Sequence, residues 1–156
     1  MAARDPTATR PRFAPGYGIS QEEDGMLPWS WVTERLEASR NYWIVTAGVE
    51  SRPHAAPVWG LWLDGAVLFG TSPDSRKGRN LARDPRVVIH LESGDEVVIL
   101  EGEVDRAPID ERTADAYEEK YDLRPPGKEL LRLRPRVAYA WIEQDYPKTA
   151  TRFAFD

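Results

Sequence analysis

The most chemically loaded stretch of the chain is Gly70-Thr71-Ser72-Pro73-Asp74-Ser75-Arg76-Lys77-Gly78-Arg79-Asn80-Leu81. Ser72-Pro73 has the form of a cap followed by a proline in the first helical turn, where a fixed φ helps and a missing N–H costs nothing. Arg76, Lys77 and Arg79 then crowd the first turns. A helix start already carries partial positive charge and unpaired N–H groups, so each cation there is repelled by roughly a few tenths of a kcal/mol. A sequence that still places three there is either a solvated basic turn or a site for an anion. With the hydroxyls of Thr71 and Ser75, and Asn80 closing the run, the set suits a phosphate group.

Just upstream, Ala55-Ala56-Pro57-Val58-Trp59-Gly60 is a strand of small residues interrupted by proline. Proline inside a strand marks an edge or a bulge. Small side chains let a flat ring lie against backbone N–H and C=O groups, and a tight barrel corner needs the same residues. Ala56, Pro57, Val58 and Trp59 are therefore candidate ring-lining positions.

Other chemistries are excluded or unsupported. There is no cysteine, which removes disulfides, thiol catalysis and cysteine-bound metal. The two histidines, His54 and His90, are far apart and read as strand residues without a metal. A net charge of −5 argues against a general nucleic-acid binder. No apolar run approaches the ~20 residues of a membrane span, and the first residues lack a secretory core, so a cytoplasmic protein with no membrane partner is expected. Six tryptophans suggest flat apolar surfaces for packing, a partner or a ring system.

The elements that must position these residues follow from periodicity. Residues 1–25, rich in Pro, Arg, Gly and acids, read as a flexible tail or an arm on a partner, and 26–156 as one domain. Ser30 fits the cap of a first helix that ends near Asn41. Strands follow at Tyr42–Ala47, His54–Leu63 and Ala66–Thr71, the last two joined by Asp64-Gly65, a strong hairpin signal. The basic helix runs to Arg83, stopped by Asp84-Pro85. Arg86–Glu92 and Glu96–Asp105 form another hairpin, Pro108–Tyr121 is helical, and Arg136–Glu143 and Thr149–Phe155 complete the strands. Hairpin connections imply an antiparallel sheet, and closure into a barrel removes its edges. The fold class is mainly β, a barrel with a few helices.

These residues also carry a resemblance. Arg52-Pro53-His54-Ala55 through Val58, Leu68-Phe69-Gly70-Thr71, and above all Ser75-Arg76-Lys77-Gly78-Arg79-Asn80-Leu81 before Asp84-Pro85-Arg86-Val87 resemble the pyridoxamine 5′-phosphate oxidase-like superfamily. The resemblance covers about residues 29–106 and, more loosely, the C-terminal strands. It implies a split β-barrel of the FMN-binding type, working as a homodimer with a cofactor site in each groove between subunits. It also implies that Thr71, Ser75, Arg76 and Lys77 hold the cofactor phosphate, that Ala56 to Trp59 line its ring, and that Trp141 and Arg152 complete the site from the partner.

The chain lacks the longer Arg-rich C-terminal signature of true pyridoxamine phosphate oxidases. It looks more like the short actinobacterial branch that uses the 8-hydroxy-5-deazaflavin coenzyme F420, whose oligoglutamate tail would suit Arg79 and Arg83. The resemblance thus implies an F420-dependent oxidoreductase that passes hydride to an enone, quinone or tetrapyrrole, with Tyr117 and Tyr121 as candidate proton donors. FMN, which needs the same cradle, is the alternative cofactor. A non-catalytic F420 carrier or a haem-binding relative is the alternative role.

Overall fold

Alternation decides the sheet. In β2 (Asn41–Ala47) the side chains of Tyr42, Ile44 and Thr46 are buried while Trp43, Val45 and Ala47 face the other way. The computed structural model describes residues 4–156. Ahead of β2 come a short strand β1 (Thr7–Thr9) and helix α1 (Trp29–Ala38). Then follow β3 (Pro53–Leu63), β4 (Ala66–Phe69), α2 (Arg76–Arg83), β5 (Arg86–His90), β6 (Glu96–Pro108), α3 (Glu111–Tyr121), β7 (Glu129–Ile142) and β8 (Thr151–Ala154).

The strands lie in the order β1-β8-β7-β4-β3-β2-β5-β6, and β6 pairs back onto β7. Every ladder is antiparallel. Strands β2 to β7 therefore close a six-stranded barrel, the split β-barrel expected from the sequence, and β8 and β1 extend it outward from β7. Asp64 and Gly65 both take positive φ at the tip of the β3–β4 hairpin, as its two-residue loop requires. The barrel is filled by Ile44, Val67, Phe69, Ile89, Leu100 and Leu133, with Val32 and Leu36 of α1 packed into the same core. A smaller apolar cluster joins α3 to the barrel wall through Tyr117 and Tyr121 against Leu61, Leu68 and Leu130.

The structure corrects several boundaries. The cap of α2 is Ser75, not Ser72; Ser72 and Pro73 belong to the turn before it, where the Ser75 N–H donates to the Ser72 carbonyl. Helix α1 starts after Pro28 with no side-chain cap, and Ser30 is already helical. Strand β7 begins at Glu129, seven residues before the expected Arg136. Its Arg-rich half hides the alternation. Leu133 points inward, Arg132 reaches across the ladder to Asp105, and Pro135 sits opposite Gly102 at a bulge that tolerates a proline.

The segment set apart as a tail is partly built into the sheet. Thr7–Thr9 pairs with β8, and the Arg10 guanidinium donates to four backbone carbonyls, those of Glu22, Asp24, Lys148 and Ala150. Residues 1–3 of that segment lie outside the described residues. No described helix is long and apolar enough to cross a membrane.

Candidate functional site

The turn from β4 into α2 is built around one hydroxyl. Ser75 Oγ accepts from the Gly78 N–H at 3.0 Å and donates to the Ser72 carbonyl at 2.7 Å. With that proton spent, the 2.9 Å contact between Thr71 and Ser75 has Thr71 as donor. Gly78 lies so close beneath the turn that a Cβ there would overlap the Ser72 carbonyl oxygen. The first helical turn is thus folded down onto Ser72 and Pro73.

Two of the three cations crowd this turn without partners. Among the described residues Arg76 and Lys77 form no ion pair and no side-chain hydrogen bond, whereas the Arg79 guanidinium donates to the Asp74 carbonyl at 2.6 Å and braces the turn. Asn80 is placed differently from the expectation. It is 6% exposed, and its amide donates to Thr46 Oγ1 at 3.0 Å, while Gly48 packs against its oxygen. Its work is to pin α2 to β2.

His54 was not singled out by sequence and belongs here. It stands opposite Thr46 on the ladder, and its Nδ1 is buried with no hydrogen-bond partner. Burial first, then the charges of Arg76 and of Lys77, hold its imidazole below the ordinary value. The sequence signal is the two-residue spacing to Ala56, which puts both on one face of β3. An orphaned buried nitrogen, two unpaired cations and a turn that admits only glycine fit a bound phosphate group well.

The expected ring-lining strand splits by parity. Val58 is buried in the core and Ala56 shares its side, so only Pro57 and Trp59 present side chains on the outer face. Trp59 is 39% exposed and stacks on Tyr121 at 4.5 Å with the rings 5° from parallel. The Arg40 guanidinium lies over both rings, at 5.2 and 5.3 Å. Tyr121 accepts from the Gly60 N–H at 2.8 Å and donates to the carbonyl of Arg40 or Gly60, and burial raises its phenol. It holds Trp59 in place rather than standing ready as a proton donor, and Tyr117 is likewise buried and raised. Lys120 lies beside this stack and donates to the Gly60 carbonyl at 2.7 Å and to Tyr42 Oη at 3.3 Å. Burial, with Arg40 adding to it, lowers its ammonium to about 8. In sequence it looks like any solvated helix lysine.

Trp141 and Arg152 are not brought to the cradle within one chain. Leu131 of β7 is opposite Phe69, just before the cradle, and Trp141 lies ten residues further along β7. At ~3.3 Å per residue that is on the order of 30 Å along the strand, toward the opposite end of the barrel. Trp141 instead packs edge-on against Phe13 and Tyr146.

Between the two ends runs a broad apolar outer face. One row across the sheet reads Pro57, Trp43, His90, Ile99, Tyr139 and Arg152, and the next reads Ala55, Val45, Val88, Glu101 and Val137. The rings of Trp43 and His90 lie parallel within 2°. A groove of about 600 Å³ opens along the second row, between Val45, Val88 and Val137 and flanked by Arg86 and Arg136.

Comparisons with known proteins bear on the family and the fold. The family model described as pyridoxamine 5′-phosphate oxidase matches residues 31–142. No curated protein matches the chain. Among solved structures, the conserved hypothetical protein Rv2991 from Mycobacterium tuberculosis is similar, with a TM-score of 0.67 and 24% identity over 81% of this chain and 91% of that one. An F420 reductase is similar with a TM-score of 0.55 and 20% identity, over 67% of this chain and 93% of that one. A heme binding protein from Mycobacterium smegmatis gives 0.56 and 25% identity, over 74% of this chain and 55% of that one.

Proposed function

This chain belongs to the pyridoxamine 5′-phosphate oxidase family, and from that premise we propose that it is a homodimeric oxidoreductase that binds coenzyme F420. The observation that carries the proposal is the pairing of Arg76 and Lys77, both without partners among the described residues, with the orphaned Nδ1 of His54 at a capped helix start. Arg76 and Lys77 would bind the phosphate, with Thr71 and Ser75 redirecting their hydroxyls to it. Arg79 braces the turn, and Arg83, which forms no ion pair among the described residues, would meet carboxylates of a tail. Pro57 and Trp59 would orient the ring from the outer face.

When bound, the reduced coenzyme would supply the hydride for an electron-poor acceptor such as an enone, quinone or tetrapyrrole. The protein's share is to fix the ring, exclude water and hold the acceptor close. A second copy docked on the apolar face would bring its own Trp141 and Arg152 toward this chain's cradle, which a single chain leaves at the far end. Such a symmetric interface should bury more than ~1,200 Å². FMN is the second reading, supported by the family and by a cradle that suits any phosphate monoester. The haem-binding neighbour does not carry over, because His54 faces two cations and His90 is stacked on Trp43 with Nδ1 against the Leu91 carbonyl at 2.8 Å.

Fluorescence titration with F420 and FMN tests the proposal, followed by turnover of a simple enone with reduced coenzyme. Tighter binding of F420 with turnover supports it. Tighter binding of FMN moves the assignment to the alternative cofactor, binding without turnover makes the protein a carrier, and binding of neither overturns the cradle.

A further inference from the structure

The proposed function uses His54 only as an unpartnered buried nitrogen and gives its protonation no role. His54 sits on the inner side of β3, opposite Thr46, whose hydroxyl is occupied by Asn80. The Asn80 that holds Thr46 belongs to α2, one helical turn beyond Arg76 and Lys77, so His54 lies beside the helix that carries both cations, and Ala56 shares its side of β3. Arg52, two residues before it, is exposed and paired with Glu50 at 3.2 Å. Burial first, and then the positive charges of Arg76 and Lys77, disfavour the imidazolium of His54. Its buried Nδ1 has no hydrogen-bond partner among the described residues.

We infer that His54 is a proton-coupled phosphate sensor: it takes up a proton from solvent when a phosphate group enters the cradle and gives it back when the phosphate leaves. This rests on the cradle assignment made above. The physical argument is a change of sign. A phosphate monoester such as FMN brings a charge of about −1.5 to −2 at neutral pH, which cancels the field of Arg76 and Lys77, and the phosphodiester of F420 offsets part of that field. The remaining potential at His54 then favours the imidazolium. Protonation turns Nδ1 into a donor, and the phosphate oxygens, directly or across one water, provide the acceptor it lacks. One proton from bulk water is taken up per site, no bond to the cofactor forms, and nothing is oxidised or reduced.

The sign of the linkage is fixed. His54 has the higher proton affinity in the bound state, so its extra contribution to anion binding is complete below the free-state titration point. It is lost as pH rises through the bound-state one. Sulfate is the cleanest probe, because its charge is constant across the histidine range, about pH 5 to 8. In wild type sulfate affinity should fall roughly tenfold across that range, which corresponds to a titration midpoint moved by about one pH unit. In His54→Gln it should stay flat.

The direct measurement is NMR titration of the two imidazoles, His54 and the internal reference His90, with and without FMN, sulfate or riboflavin. FMN and sulfate should raise the His54 midpoint and leave His90 unchanged. Riboflavin, which has the ring without the phosphate, should move neither. If FMN binds, as shown by quenching of its fluorescence, and His54 does not move, the inference fails while the cradle stands. If riboflavin raises the His54 midpoint as much as FMN does, the ring and not the phosphate is sensed, and the inference fails again. If neither FMN nor sulfate binds, the cradle itself fails and takes the inference with it.

Discussion

Gly78 stands directly against the carbonyl of Ser72, with no room for a side-chain carbon between them. That contact lets the first turn of α2 close onto the loop that precedes it, and it makes the cradle depend on a residue with no chemistry of its own. Gly78→Ala should push the turn open. We expect a loss of about 1–3 kcal/mol from overpacking, read as a lower Tm, and loss of FMN and F420 binding even where the barrel remains folded by circular dichroism. Unchanged affinity would mean that the turn does not form the site.

Arg76 and Lys77 should behave in the opposite way. Removing either cation relieves repulsion at a helix start, so the melting point of the ligand-free protein should hold or rise. A charge-assisted hydrogen bond to phosphate is worth about 1.5–3 kcal/mol, so the cofactor Kd should rise roughly tenfold to hundredfold in Arg76→Ala and Lys77→Ala. Melting curves beside fluorescence titrations give both quantities, and a drop in stability without a change in Kd would assign these residues to the fold alone.

Asn80 supplies the contrast. Its buried amide holds Thr46, so Asn80→Ala leaves a buried hydroxyl without its donor. The expected cost is about 1–3 kcal/mol of folding stability by urea denaturation. Cofactor affinity should weaken only as far as α2 loosens. A variant that keeps full stability but loses binding would put Asn80 back in contact with the ligand.

Lys120 makes a prediction about pH. Burial holds its folded-state ammonium down at about 8, from an ordinary value of 10.5. Between these values the unfolded chain binds more protons than the folded one, so stability should rise with pH from about 8 toward 10. Above that, the raised phenols of Tyr42 and Tyr121 work the other way and the gain should stop. Lys120→Met should flatten the rise in chemical denaturation measured across this window, and an unchanged slope would show that Lys120 is solvated.

The outer face should be the dimer interface. Val88 lies mid-row between Val45 and Glu101, half-buried in one chain. Val88→Glu should leave the barrel folded and convert a dimer to a monomer in light scattering, with cofactor binding lost in parallel. A wild-type monomer at micromolar concentration would dismiss the shared site.

The sequence by itself determined the class of fold and marked the run from which the proposed cradle is built, because both are written in local signals. Alternation in Tyr42–Ala47, the Asp64-Gly65 turn and the Asp84-Pro85 stop are short-range instructions, and an antiparallel barrel follows from them. The run from Thr71 to Lys77 is legible for the same reason, since a cap and its cations are neighbours in the chain. The tertiary structure decided what depends on residues far apart. His54 and Arg76 share a field only because β3 and α2 pack together. Asn80 is an anchor because Thr46 lies under it, and Lys120 loses its easy charge only where Gly60 and Tyr42 enclose it. The start of β7 was hidden because its outward arginines find their carboxylates, such as Asp105, across a ladder that no local pattern announces. Burial and electrostatics act through space, and the strand that brings two charges together is chosen by the closure of the whole barrel.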